Sequence, residues 1–195
     1  AQDGRQRTAA TVVADAMAQL PAAKQEAYNQ VMGELAAVGA DAVIQIADML
    51  VPADKGKNAI MEYALDGLVA YTTAPGREKE AASVRKGLAT AIDKCTDNPN
   101  KAFLLTLLQR CSKVEDAPVF LKYVNDKYLA EWAINGLVAT PGTEDILLDL
   151  IQKAQAPCKV LAYAAGTKKL SAAEPVLLGW IAKADAETVK AIYHA

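Results

Sequence analysis

Apolar positions along this chain fall into short stripes at helical spacing, and two kinds of stripe alternate. Residues 63–70 read Tyr-Ala-Leu-Asp-Gly-Leu-Val-Ala and residues 132–139 read Trp-Ala-Ile-Asn-Gly-Leu-Val-Ala, so aromatic, small, aliphatic, Asx and glycine classes recur in order at an offset of 69 residues. That offset is two repeats of about 35 residues, the self-similarity of stacked helical hairpins. A second stripe, apolar at i, i+1, i+4 and i+5, occurs at Val119, Phe120, Tyr123 and Val124, at Ile146, Leu147, Leu150 and Ile151, and at Val176, Leu177, Trp180 and Ile181. Each set paints one face of a helix. Between them lie stripes of the first kind, Ala133, Ile134, Leu137 and Val138, then Val160, Leu161, Ala164 and Ala165.

Breakers fall where that alternation needs them: Pro52, Pro75-Gly76, Asn98-Pro99-Asn100, Asp116 with Pro118, Pro141-Gly142-Thr143, Pro157, and Ser171 with Glu174 and Pro175. The pattern predicts first-kind helices near 22–37, 58–72, 100–111, 127–140 and 157–167, and second-kind helices near 40–51, 79–95, 116–124, 143–154 and 172–183. A leading helix near 8–19 and a trailing one near 185–194 flank them. Ser171-Ala-Ala-Glu174 has capping-box spacing, and Thr143 and Asp116 stand where a side chain can cap a helix start. A hairpin of this kind cannot bury its stripe alone, so neighbours must stack. The expectation is one all-α domain over 1–195: a cap segment at 1–20, repeats over 21–184 and a trailing helix at 185–195.

The segments Tyr128 to Ala154 and Cys158 to Ala184 each run from a small-residue helix through a short loop to an acidic or Pro-bearing second helix. In this they resemble the short HEAT-like, armadillo-like repeats related to those of phycobilisome lyases. The resemblance covers about residues 20–185, is clearest after 125 and is weakest over 73–100. Tetratricopeptide repeats are the near rival, but their strict period of about 34 residues is missing. The resemblance implies a right-handed α-α superhelix, a solenoid of about five HEAT-like hairpins with flanking cap helices. It further implies that the second helices line a concave face where partners sit, which makes Lys122, Tyr123, Asp149, Lys153, Trp180 and Lys183 the partner-binding candidates. It implies a non-catalytic protein-interaction, scaffold or spacer module. Arrays of this sort occur in bacterial envelope proteins beside carbohydrate-processing domains of the 3-keto-disaccharide hydrolase type, so the implied partner is a protein or an adjoining domain of the same polypeptide. A DNA-repair glycosylase or other nucleic-acid binder built from such repeats is the alternative, and a lyase or chaperone for a chromophore-bearing protein is a third.

Composition narrows this little further. Only 6% of residues are aromatic, which favours close-packed helices over a sheet-based core. Residues 1–100 carry 10 basic and 13 acidic side chains and residues 101–195 carry 11 and 10, so no basic region stands ready for phosphate backbones, and nucleic acid is not an expected partner. The longest apolar run, Pro175 to Ala182, falls far short of the roughly 20 residues of a membrane span, so no insertion is expected. The chain starts Ala1-Gln2-Asp3, either a processed secretory N-terminus or a boundary set by expression, and a periplasmic or envelope location is favoured over a cytoplasmic one. The trailing helix has the look of a first-kind helix with no second to follow, which suggests part of a longer polypeptide.

Candidate chemistry is sparse. The only histidine, His194, is one residue from the end, and no phosphate-loop, zinc-protease, hydrolase-elbow or EF-hand pattern occurs, so no catalytic, cofactor or metal residue is assigned. Glu115-Asp116 and Glu144-Asp145 sit where helices begin, and there carboxylates stabilise the helix dipole. The run Arg77-Glu78-Lys79-Glu80 with Arg85-Lys86 reads as a solvated face, and Lys159 with Lys168-Lys169 as a modest basic edge. Cys95, Cys111 and Cys158 lack metal or CxxC spacing. Cys95 ends one expected helix and Cys111 ends the next, antiparallel one, which puts them roughly 15 Å apart at the helical rise, too far for a disulfide, so buried free thiols are expected.

Overall fold

The computed structural model describes residues 7–195, and these contain twelve α-helices and no strand. Residues 1–6 of the expected cap segment lie outside the described residues. Where the sequence reading takes 1–195 as one domain, the chain folds as two compact units, 1–111 and 112–195. The boundary follows Cys111 and so divides the hairpin read at 100–111 and 116–124 between them.

Unit 1 holds α1 (Ala9–Ala18), α2 (Gln25–Val38), α3 (Ala40–Asp48), α4 (Ala59–Thr72), α5 (Glu78–Lys94) and α6 (Asn98–Cys111). Neighbours in space are not always neighbours in sequence: α2 packs on α4 and α4 on α6, while α1 packs on α3 and α3 on α5. Two rows result, of first-kind and second-kind helices. The closest pairing, α3 with α5, is also tied by a polar bond: Gly39 precedes α3 and has no side chain to cap it, and Ser83 on α5 accepts the Ala40 N–H at 2.9 Å instead.

Unit 2 begins with a 3₁₀ turn at Val114–Asp116 and holds α7 (Ala117–Leu121), α8 (Ala130–Ala139), α9 (Glu144–Lys153), α10 (Lys159–Thr167), α11 (Glu174–Trp180) and α12 (Ala186–His194). Further 3₁₀ turns at Ser171–Ala173 and Ile181–Lys183 bracket α11. Here α8 packs on α10 and α10 on α12. The expected helix at 116–124 stops at Leu121, and Tyr123 and Val124 lie in turns closed by Tyr123 N–H to Phe120 and Asp126 N–H to Tyr123. The polar run Asn125-Asp126-Lys127 has no apolar side to bury, and the Asp126 carboxylate instead accepts the N–H groups of Tyr128 and Leu129 ahead of α8.

Burial repeats with the sequence. In α4 the buried positions include Ala64, Leu65, Gly67 and Leu68, followed by Val69 and Thr72, and in α8 they are Ala133, Ile134, Gly136 and Leu137, while Asp66 and Asn135 point outward in both. The same i, i+1, i+3, i+4 set recurs in α6 at Leu104, Leu105, Leu107 and Leu108, and in α10 at Leu161, Ala162, Ala164 and Ala165. Of the α10 stripe expected from sequence, Leu161, Ala164 and Ala165 are buried, while Val160 is only half-buried and Ala162 is wholly buried in its place. In the second-kind helices Phe120, Leu147 and Leu177 are each buried. Removing such a side chain from water contributes about 2 kcal/mol.

Two glycines mark where neighbours come closest. A Cβ on Gly67 would lie 2.7 Å from Met32 Cε and 2.7 Å from the Tyr28 hydroxyl, and one on Gly136 would overlap the Phe120 ring. Neither position tolerates a side chain without movement of its neighbour.

Of the expected caps, Asp116 binds the Lys113 N–H at 2.8 Å. Thr143 does not cap; it is buried and its hydroxyl donates to Leu137 O and Thr140 O. Ser171 does not cap α11 either, because it starts the 3₁₀ turn and Ala173 holds the N-cap position. Side-chain caps instead form at Thr8 before α1, Asp97 at α6 and Asp185 before α12.

Candidate functional site

The partner-binding candidates all belong to unit 2, and their surroundings differ. Lys122 follows α7 and is exposed, and Tyr123 beside it is half-buried in a turn. Asp149 and Lys153, one turn apart on α9, are joined by a 3.0 Å ion pair and exposed. Lys183 is exposed at the end of its 3₁₀ turn. Trp180 closes α11 with only 7% of its surface exposed, so its ring serves the core and is not presented to a partner. The structure thus brings Asp149 and Lys153 into one pair and removes Trp180 from the surface.

On the first-kind row of unit 2, aromatic side chains are more open than the sequence suggested. Tyr128 stacks on Trp132 with ring centroids 5.3 Å apart and planes 11° from parallel, and Tyr128 is exposed. Its spacing of i, i+4 from Trp132 was the available signal. Tyr163, also exposed, lies on α10. Lys159 at the start of α10 donates to Glu187 at 2.9 Å, and that hydrogen bond, with the Glu187 charge, raises the Lys159 pKa above the ordinary lysine value. Glu131 on α8 adds to the same effect. The corresponding row of unit 1 carries an edge-on pair, Tyr28 and Tyr63 at 6.1 Å, and an ion pair between Asp66 and Arg110. Partial burial pushes the Tyr28 hydroxyl pKa up, helped by Tyr63 and Asp66.

Polar rungs tie each row together. In unit 1 Asn58 and Asn100, both buried, share a 3.2 Å bond, and each donates to Val51 O, at 2.7 and 2.8 Å. In unit 2 Thr140 donates to Gly136 O at 2.7 Å, so the 2.6 Å contact with Ser112 has the Ser112 hydroxyl as donor. Lys168 then reaches Thr140 O at 3.1 Å and lies 3.6 Å from Glu144. The rungs Ser112–Thr140, Thr140–Lys168 and Lys159–Glu187 each span 28 residues.

Several expected surfaces dissolve on this account. The basic edge of Lys159, Lys168 and Lys169 is taken apart, since Lys159 is neutralised by Glu187 and the Lys168 side chain is only 14% exposed. In the charge run after Gly76, Arg77 lies 3.6 Å over the Tyr71 ring and donates to Tyr71 O, and Arg85 is buried, so only part of that run is solvated. Glu78 accepts the Gly76 N–H, which holds its carboxyl below the usual range. The three cysteines are free thiols and half-buried, less enclosed than expected; burial pushes the Cys95 thiol pKa up. His194 closes α12 and is exposed.

Among the described residues no group of His, Cys, Asp and Glu is arranged to hold a metal ion, and no helix is long and apolar enough to cross a membrane. Comparison with protein-family models, with curated proteins and with solved structures finds no significant match to this chain.

Proposed function

We propose that this chain is a non-catalytic interaction or spacer module, a HEAT-like right-handed α-α solenoid that holds a protein partner, or an adjoining domain of its own polypeptide, along its second-kind helices. The observation that supports this reading is the shared burial register of α4, α6, α8 and α10, which commits the sequence of each repeat to stacking and leaves the outward positions free to vary. Charged outward positions of the second-kind helices, Lys122, Asp149, Lys153 and Lys183, are its contact residues. An envelope or secreted setting beside a carbohydrate-processing domain is part of the same proposal.

A photo-crosslinking side chain placed at Lys122, Asp149 or Lys183, and for contrast at Asn135 on the other row, tests it in the native host. Discrete protein adducts from the first three positions and none from Asn135 are expected. Adducts to nucleic acid, or hydrolase activity of residues 1–195 alone, would overturn the reading.

A further inference from the structure

Packing holds in place one dipeptide of α8 that chemistry makes fragile. Gly136 lies against the Phe120 ring, which a Cβ at that position would overlap, so the residue after Asn135 is kept as glycine. An asparagine followed by glycine is prone to cyclise: the backbone nitrogen of the second residue attacks the side-chain carboxamide of the first, and glycine leaves that nitrogen unshielded by a Cβ. Asn135 is the one asparagine of the chain so placed. Asn98 precedes Pro99, which has no N–H to give up, and Asn58 and Asn100 are buried. Asn29 and Asn125 precede Gln30 and Asp126, whose side chains stand in the way. Asn135 itself is exposed.

The closed helix prevents the reaction. α8 runs Ala130–Ala139, and inside it the Gly136 N–H points along the axis toward the preceding turn while Asn135 keeps a helical ψ, so nitrogen and carboxamide carbon are held apart. Ring closure requires that turn to open. The sister repeat has Asp66 before Gly67 in α4, where an ionised carboxylate is a poor electrophile and Arg110 holds it in an ion pair. Of the two related octapeptides, the second alone combines a reactive amide with the glycine that packing demands.

We propose that Asn135–Gly136 is a self-modifying site that records the opening of α8 and then makes it permanent. In the open segment the Gly136 nitrogen bonds to Asn135 Cγ, the Cγ–Nδ2 bond breaks, and the Gly136 proton leaves with the amide as ammonia, giving a succinimide. Water then adds to one of the two ring carbonyls, and the ring C–N bond at that carbon breaks. Opening at Cγ leaves aspartate, the residue α4 already carries at this place, and α8 re-forms. Opening at the main-chain carbonyl of residue 135 leaves isoaspartate: the chain now runs through Cβ and Cγ, one carbon longer, with a carboxylate as its branch. The helix has no room in its register for the added atom, so Gly136 loses its place against Phe120 and Thr140 its bond to Ser112. The rate follows the fraction of molecules in which α8 is open, as cleavage of an opened segment does. The inference is independent of the partner-holding role proposed above, because it concerns the chemistry of a first-kind helix.

Peptide mapping by mass spectrometry on residues 1–195 held at mildly alkaline pH tests it, with an isoaspartate-specific methyltransferase to separate the two products. The chain unfolded in urea is expected to convert at the rate of a free Asn-Gly peptide, and the native chain at least about a hundredfold more slowly. Across urea concentrations below unfolding, the native rate is expected to track amide exchange in α8. Phe120→Ala removes what α8 packs on and is expected to raise the native rate about tenfold while leaving the unfolded rate alone. Asn135→Gln keeps an exposed amide whose closure would need a six-membered ring, and is expected to stop the conversion with the parent Tm retained. The purified isoaspartyl chain is expected to lose exchange protection over 130–139 and the aspartyl chain to keep it. Three results would overturn the proposal: a native rate equal to the unfolded one, a native rate that departs from α8 exchange, or an isoaspartyl chain whose α8 stays protected.

Discussion

The octapeptide Tyr63–Ala70 in unit 1 and its relative Trp132–Ala139 in unit 2 share four buried positions, Val69 being buried in addition where Val138 is half-buried, but press their central glycines against different things. Gly67 meets the flexible end of Met32 and the tip of Tyr28, both on the preceding first-kind helix, whereas Gly136 meets the flat ring of Phe120 on α7. Helix spacing goes with this difference. First-kind helices start at Gln25, Ala59 and Asn98 in unit 1, but at Ala130, Lys159 and Ala186 in unit 2, so the second series is more tightly spaced. A helix therefore inherits its buried face from its own sequence, and the length of the intervening chain decides which neighbour that face meets.

The comparison is most easily broken at Phe120. Phe120→Ala is expected to cost about 4 kcal/mol in urea unfolding, with amide exchange rising first across α7 and α8. Next comes the pair of glycines. Gly136→Ala is expected to cost about 2–3 kcal/mol because the wholly buried Phe120 ring has little room to yield, and Gly67→Ala about 1 kcal/mol because the Met32 methyl can swing away. Equal costs would erase the distinction, and adding Phe120→Leu to Gly136→Ala should recover much of the loss if the ring is the obstacle. The polar rungs fall within the range of the two glycines: Asn100→Ala is expected to cost about 2 kcal/mol and Thr140→Val about 1 kcal/mol, with faster exchange confined to residues 51–58 in the first case and 112–140 in the second.

Acid should separate the units by the smallest margin. Backbone N–H donors hold the carboxyls of Glu78 and Asp185 below their ordinary ranges, Gly76 in the one case and Thr188 in the other. A depressed pKa contributes stability that is present above the unfolded value and lost as pH falls through the folded one. Glu78 closes an exposed turn, while Asp185 anchors buried Thr188 and with it α12. Lowering the pH below the ordinary carboxylate range should therefore loosen α12 before the 74–78 turn, a difference that amide exchange at graded pH would register, and Asp185→Ala should abolish it.

Much of this was legible in the pattern of apolar residues. Each expected helix has a counterpart, because periodicity and breakers are local properties and the stacked neighbours do not override them. α7 and α11 are both shorter than expected, α7 because Asn125-Asp126-Lys127 offers nothing to bury and Asp126 caps the next helix instead, and α11 because 3₁₀ turns take up its two ends. One member of the α10 stripe was misassigned because Val160 and Ala162 both qualify as apolar, and only packing selects the smaller for the interior. The rungs were invisible: two hydroxyls, Ser112 and Thr140, are followed by the ammonium of Lys168, so no one residue type repeats until the backbone brings them together. Surface roles were hardest to read. Trp180 and Tyr128 are both large aromatics, and whether each faces inward or outward depends on the turn that precedes or follows its helix.

The common 28-residue span of the Ser112–Thr140, Thr140–Lys168 and Lys159–Glu187 bonds constrains how this part of the molecule can change length. A single residue gained or lost between two rungs rotates every later side chain by about a quarter-turn, dropping Lys168 out of reach and swinging the apolar face toward water. A whole module of that span can be gained or lost with every partner still opposite its mate. Length changes that preserve these bonds therefore come in complete cassettes, with the short hinges left as they are.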